Sequence, residues 1–195
     1  MGVGDFAAAV LAGANQAGVP LRAGTSVAWL SGWGHREPGA ASAPPAVLER
    51  LATIHAALGG DAASLTLKQR RFPGMDFWVG GRVILELDEI QHLSSQRLTT
   101  VDHYEGLAHH VDLATYRLLC GRHQAAAGRA FAHKTSKDFA FAGGRTAQRA
   151  YLDAARDLLG PVFGARVVRV PAPLMHVGEA VAAIRGLWER GLLDV

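Results

Sequence analysis

The sequence predicts a mixed α/β fold in which a sheet is flanked by helices, with an N-terminal helical extension. Three observations carry this. Gly80 and Gly81 separate two apolar runs, 75–79 and 82–88, the signature of a β-hairpin. Apolar residues at helical spacing lie before and after that hairpin. A β-branched run at 166–170, closed by Pro171, follows a further helical segment, and the resulting order α, β, β, β, α, β, α packs helices on a sheet.

Taken in order, residues 5–18 are Ala-rich with an acid in the first turn and a closing Gly18, which predicts a helix. Residues 31–46 are dense in Gly, Pro, Ser and Ala and read as a loop, dividing an extension at 1–44 from a main α/β unit at 45–195. Val47, Leu48, Leu51, Ile54 and Leu58 share a helix face that ends at Gly59 and Gly60. Strands are expected at 64–67, 75–79 and 82–88. A polar, helical region runs from about 93 to 129. The 145–159 segment predicts a helix stopped by Gly160 and Pro161, and 177–190 a final helix.

Composition narrows the classes. In 195 residues, 49% apolar and 19% charged, there is enough apolar side chain for a real core, which excludes wholesale disorder. No run approaches the roughly 18–20 apolar residues of a membrane helix, and the first residues lack the basic flank of a signal peptide. A single cysteine, Cys120, excludes an intrachain disulfide and a cysteine-built zinc site. A reducing, cytoplasmic setting without membrane contact is expected. The net charge of +3 is too small to announce a nucleic-acid binder by itself.

Chemistry concentrates on the hairpin. On a strand, alternate residues share a face, so Ile84, Glu86 and Asp88 lie together and Val83, Leu85 and Leu87 lie opposite. Two carboxylates about 7 Å apart in an apolar run repel one another, and one of them is pushed toward its neutral form. A divalent cation removes that cost. Asp76, on the preceding strand, is brought across by the glycine turn, and three hard oxygen ligands suit Mg²⁺ bound together with a phosphate. The plain alternative is that Asp88 and Glu89 mark the solvent end of the strand while Asp76 pairs with Arg71 or Arg82. Glu86 favours the metal site, because it sits where an ordinary strand would carry Val or Thr.

These residues, with Gly74 and Met75 before Asp76 and with Gln91 and His92 just after Asp88, resemble the PD-(D/E)xK, restriction-endonuclease-like nuclease superfamily, in the branch similar to very-short-patch repair endonucleases. Asp153 and Arg156 in the late helix, and Arg166 and Arg169 in the strand after it, match further short motifs of that branch. The likeness covers roughly residues 45–172. It departs from the superfamily at Asp88, where Lys is usual, and at Gly74 and Met75, where the Pro of the name is absent; residues 93–144 form an insertion suited to recognition elements or a lid.

The resemblance implies a metal-dependent endonuclease or nickase acting on DNA. Asp76, Glu86 and Asp88 would hold Mg²⁺, or Mn²⁺ in its place, with His92 as general base and Gln91 orienting a water or phosphate. The alternative is a nuclease-fold protein that has lost activity and binds nucleic acid or a protein partner, since the usual Lys is missing. A homodimer is compatible with either. At 100° per residue Arg149 and Arg156 fall within about 40° of Arg145, a stripe opposite the alanines of the same helix. Such a stripe is equally the mark of a solvated helix; as a phosphate grip it would join Arg70, Arg71, Arg97 or Lys137 in one patch.

Overall fold

The computed structural model describes residues 3–129, 131–173 and 175–193; the outermost residues of the two expected segments, 1–2 and 194–195, lie outside the described residues. The strands β1 (Leu21–Ala23), β2 (Phe77–Val79), β3 (Val83–Asp88) and β4 (Arg166–Pro171) form one sheet in the order β1-β2-β3-β4. The β1–β2 and β2–β3 pairs are antiparallel and β3–β4 is parallel. A parallel neighbour needs a long crossover, and residues 89–165 supply it with the helices α3 (Ser95–Val101), α4 (Leu113–Arg129) and α5 (Gly144–Val162).

Helices cover both faces, so β3 is buried along its whole length. Its alternation divides the core as the sequence requires. Ile84 joins Val167 and the apolar side chains of α2 (Pro45–Ala57) and α5, among them Leu51, Ile54, Ala147 and Leu158. Val83, Leu85 and Leu87 face the second core, built with Val10 and Ala14 of α1 (Val3–Gln16) and Ile184 of α6 (Val177–Glu189). Leucine and valine side chains buried this way contribute roughly 1.5–3 kcal/mol each, so β3 is the rigid spine from which Glu86 and Asp88 project.

Four expectations change. Of the expected extension at 1–44, the described residues 3–44 do not sit apart: β1 is the edge strand paired to β2, and α1 packs on α6. The reason is that Leu21 alone of the three β1 residues is buried, in the second core, too little to show as a strand pattern in the sequence. Residues 64–67 form turns instead of a strand, because Asp61 caps a 3-10 turn by accepting from Ala63 N–H. The hairpin connection is one residue longer than two: Gly80 and Gly81 adopt φ of 58° and 80°, Arg82 N–H closes on the Val79 carbonyl, and pairing resumes at Val83. That left-handed pair is open to glycine and strained for other side chains. Helix α5 also continues through Pro161 to Val162, since a proline in the last turn leaves most of the earlier hydrogen bonds intact.

Candidate active site

The hairpin and α5 meet over the C-terminal half of β3. Because Phe77 pairs with Leu85, Asp76 lies across from Glu86. Asp76 Oδ2 accepts from Leu87 N–H at 2.8 Å, and the Asp76 backbone N–H donates to Glu86 Oε1 at 3.3 Å. Two carboxylates are thereby held side by side by backbone contacts. One guanidinium compensates them: Arg156 Nη1 donates to Glu86 Oε2 at 2.8 Å and to Asp153 Oδ1 at 3.3 Å.

That compensation is incomplete. Burial pushes the Glu86 carboxyl up to about 7, against the pull of Arg156 and with the repulsion of Asp76 added. Asp76 is also raised, chiefly by burial, although the Leu87 hydrogen bond and Arg156 oppose it. Carboxylates displaced in this way inside a cleft make it the candidate functional site. They line a cavity of about 240 Å³ together with Glu89, Gln91, His92 and Arg149. Within it, Arg149 Nη1 and Arg156 Nε are buried N–H groups that find no acceptor among the described residues.

His92 follows β3 in a 3-10 turn and reaches α5. Its Nδ1 lies 2.8 Å from Asp153 Oδ2, so a neutral ring with the proton on Nδ1 leaves Nε2 with its lone pair. Burial works against the charged ring, but Asp153 and then Asp88 outweigh it and the pKa lies above 6.5. Asp153, in turn, is held well below the ordinary carboxylate range, its burial overcome by His92 and Arg169. Gln91 also lines the cleft, its Nε2 hydrogen-bonded to Glu89.

Asp88 does not join this group. Arg169 Nη1 donates to its Oδ1 at 2.8 Å, the Tyr116 hydroxyl hydrogen-bonds Oδ2, and the side chain is fully enclosed. Arg169 Nε binds Asp157 Oδ1 at 2.6 Å, and Arg97 Nη2 binds Asp157 Oδ2 at the same distance. The Tyr104 hydroxyl adds 2.7 Å to that oxygen. Asp157 stays below the usual carboxylate range because Arg169 and Arg97 overcome its burial. Of the expected triad only Asp76 and Glu86 line the cavity; Asp88 is a structural anion, since β4 brings Arg169 alongside Glu86 in register and its guanidinium reaches Asp88.

Two expected nucleic-acid contacts are corrected with it. Arg97 has no exposed surface and serves Asp157. Arg156 is 6% exposed and committed to Glu86, so the α5 stripe is not a solvent face: Arg145 is exposed, Arg149 half-buried and Arg156 buried. The cause is that α5 is buried on its polar side as well, against the acids at the end of β3 and against α3. Arg71 is exposed and lies outside the carboxylate cleft. The insertion at 93–144 acts as a wall, supplying Arg97, Tyr104 and Tyr116 to the ionic cluster.

Sequence reasoning missed Asp153 and Arg169 as site-shaping residues, and Tyr104, Tyr116 and Asp157 altogether. The spacing of Asp153 and Arg156, one helical turn apart, was the available signal. Among the described residues no group of three or more His, Cys, Asp or Glu gathers as a metal cage. Mg²⁺ is commonly held by one or two carboxylates, its other positions going to water and substrate phosphate, and Asp76 and Glu86 are the residues that would hold such an ion.

The chain matches no protein-family model, no curated protein and no solved structure. No helix among the described residues is long and apolar enough to cross a membrane.

Proposed function

We propose that the chain is a metal-dependent phosphodiesterase that cuts DNA, as an endonuclease or nickase, in the cleft between the hairpin and α5. The observation that carries this reading is the adjacent pair of half-buried Asp76 and buried Glu86, both raised in pKa, with one arginine on Glu86. Mg²⁺ or Mn²⁺ between these carboxylates would neutralise a phosphodiester and lower the pKa of a bound water. Arg149 and Arg156 line the cavity and would set cationic charge beside the phosphate. His92 takes the proton of the attacking water at Nε2, while Asp153 holds the ring in the required tautomer.

A second reading rests on the 2.8 Å contact of Arg156 with Glu86. If that guanidinium keeps the place of the dication, the same cleft binds nucleic acid without cutting it. Incubation of supercoiled plasmid with Mg²⁺ or Mn²⁺ separates the two. Nicking by the wild type and none by Asp76→Asn supports the phosphodiesterase; salt-sensitive retention of DNA without nicking supports the binding module; neither result rejects both.

A further inference from the structure

The carboxylate cleft continues past Arg145. Pro73, Arg145 and Leu152 line it and also line a second cavity of about 520 Å³, so the two are compartments of one groove. The charged lining of the second compartment is cationic throughout: Lys68, Arg71, Lys137 and Arg145. Among the described residues no Asp or Glu lines it. Gathering like charges around a cavity is unfavourable unless an anion enters.

The cations are placed by the fold and not merely nearby. Lys68 Nζ is 2.6 Å from Asp138 Oδ2, and Asp138 is itself buried and held by Gln148 Nε2 at 3.2 Å and Ser136 Oγ at 3.0 Å. Gln148 Oε1 accepts from Arg145. Lys137 Nζ rests on the Leu67 carbonyl at 3.3 Å, and Arg71 Nε on Gln69 Oε1 at 2.9 Å. Lys68 thus has a carboxylate partner, whereas Arg71, Lys137 and Arg145 are oriented by neutral oxygens and keep their full charge for a ligand. Phe72, 39% exposed, forms the rim, with the Arg70 guanidinium 4.9 Å from its ring centre.

We propose that this second compartment is an anion subsite that takes a further phosphate of the same polynucleotide strand, beyond the phosphate in the carboxylate cleft, with Phe72 offering a ring face to a neighbouring base. The assignment rests on the nucleic-acid reading of the cleft and specifies its substrate as a strand long enough to cross Arg145. Stacking on an exposed aromatic beside a cationic groove is the usual mode for single strands and is tolerant of sequence.

The test is fluorescence anisotropy with labelled single-stranded DNA in Ca²⁺, which suppresses turnover, on the wild type and on the double variant Arg71→Gln, Lys137→Gln. Both side chains are exposed, and matching melting curves show that the fold is kept. The wild type gains affinity as the strand lengthens from a dinucleotide to about six nucleotides. The double variant loses that gain: the longer strand binds about tenfold more weakly at moderate salt, and the slope of log K against log[salt] falls by about 0.7, one phosphate contact. Inorganic phosphate competing as strongly as the longer strand would identify a site for a free anion and overturn the assignment. Unchanged affinity and slope in the double variant, with plasmid nicking intact in the wild type, would overturn the subsite and leave the phosphodiesterase standing. Absence of both binding and nicking in the wild type would overturn the two together.

Discussion

Glu86 and Asp88 stand two residues apart on one face of one strand, and the structure gives them opposite environments. Asp88 is closed in by Arg169 and Tyr116, part of a cluster in which Asp157 also receives Arg97 and Arg169. Glu86 shares one arginine with Asp153, faces a second carboxylate, and opens on a cavity. The difference lies in how many cations the neighbouring elements bring. β4 and α3 deliver guanidinium groups to the far end of β3, whereas the hairpin delivers only another acid. A saturated ionic cluster fixes structure; an under-compensated pair is where the proposed cation would bind.

The largest effect that separates the two regions is on stability. Arg169→Leu removes the cation shared by Asp88, Asp157 and Asp153, and stranding buried carboxylates costs about 3–5 kcal/mol. Urea unfolding should show a loss of that size, while Asp76→Asn should leave the unfolding midpoint nearly unchanged. An equally large loss with Asp76→Asn would erase the contrast.

Catalysis should respond the other way round. Asp76→Asn lowers plasmid nicking by about two to three decades, equivalent to about 3–4 kcal/mol of transition-state stabilisation. Single-turnover assays on protein that melts like the wild type check this.

The two regions should also differ in pH dependence. The Glu86 carboxyl, raised from 4.5 to about 7, binds its proton more tightly in the folded chain than in the unfolded one. Its contribution to stability is full below pH 4.5 and is lost as pH rises through about 7. Glu86→Gln should therefore flatten the fall in stability between about pH 5 and pH 8, by on the order of 2 kcal/mol. Urea midpoints at the two pH values measure it, and parallel curves for wild type and variant would contradict it. Most subtle is the rate profile. His92 acts as a base only when neutral, and Asp153 keeps its pKa above 6.5, so the acid limb of nicking shifts to lower pH in Asp153→Asn.

Much of this arrangement was legible in the chain. The period-two pattern of β3 placed Glu86 opposite Leu85 and Leu87, and the glycine turn carried Asp76 across to it. Helix α5 was equally plain, yet its helical wheel misassigned Arg156. The wheel separates apolar from polar and assumes that the polar side meets water; here it meets the acids of β3. The fate of Asp88 was hidden for a related reason. Its partners, Arg169 and Tyr116, lie 81 and 28 residues away, and no local pattern states which strand will pair in parallel. β1 escaped notice because three residues are too few to show alternation.

A Mn²⁺ titration followed by the loss of the free-ion EPR signal tests the division between the two regions most directly. Wild type and Asp88→Asn should each bind the ion, and Asp76→Asn should not. A wild type that leaves Mn²⁺ free, or an ion kept by Asp76→Asn and lost by a folded Asp88→Asn, would contradict the assignment of the cleft carboxylates as the metal ligands.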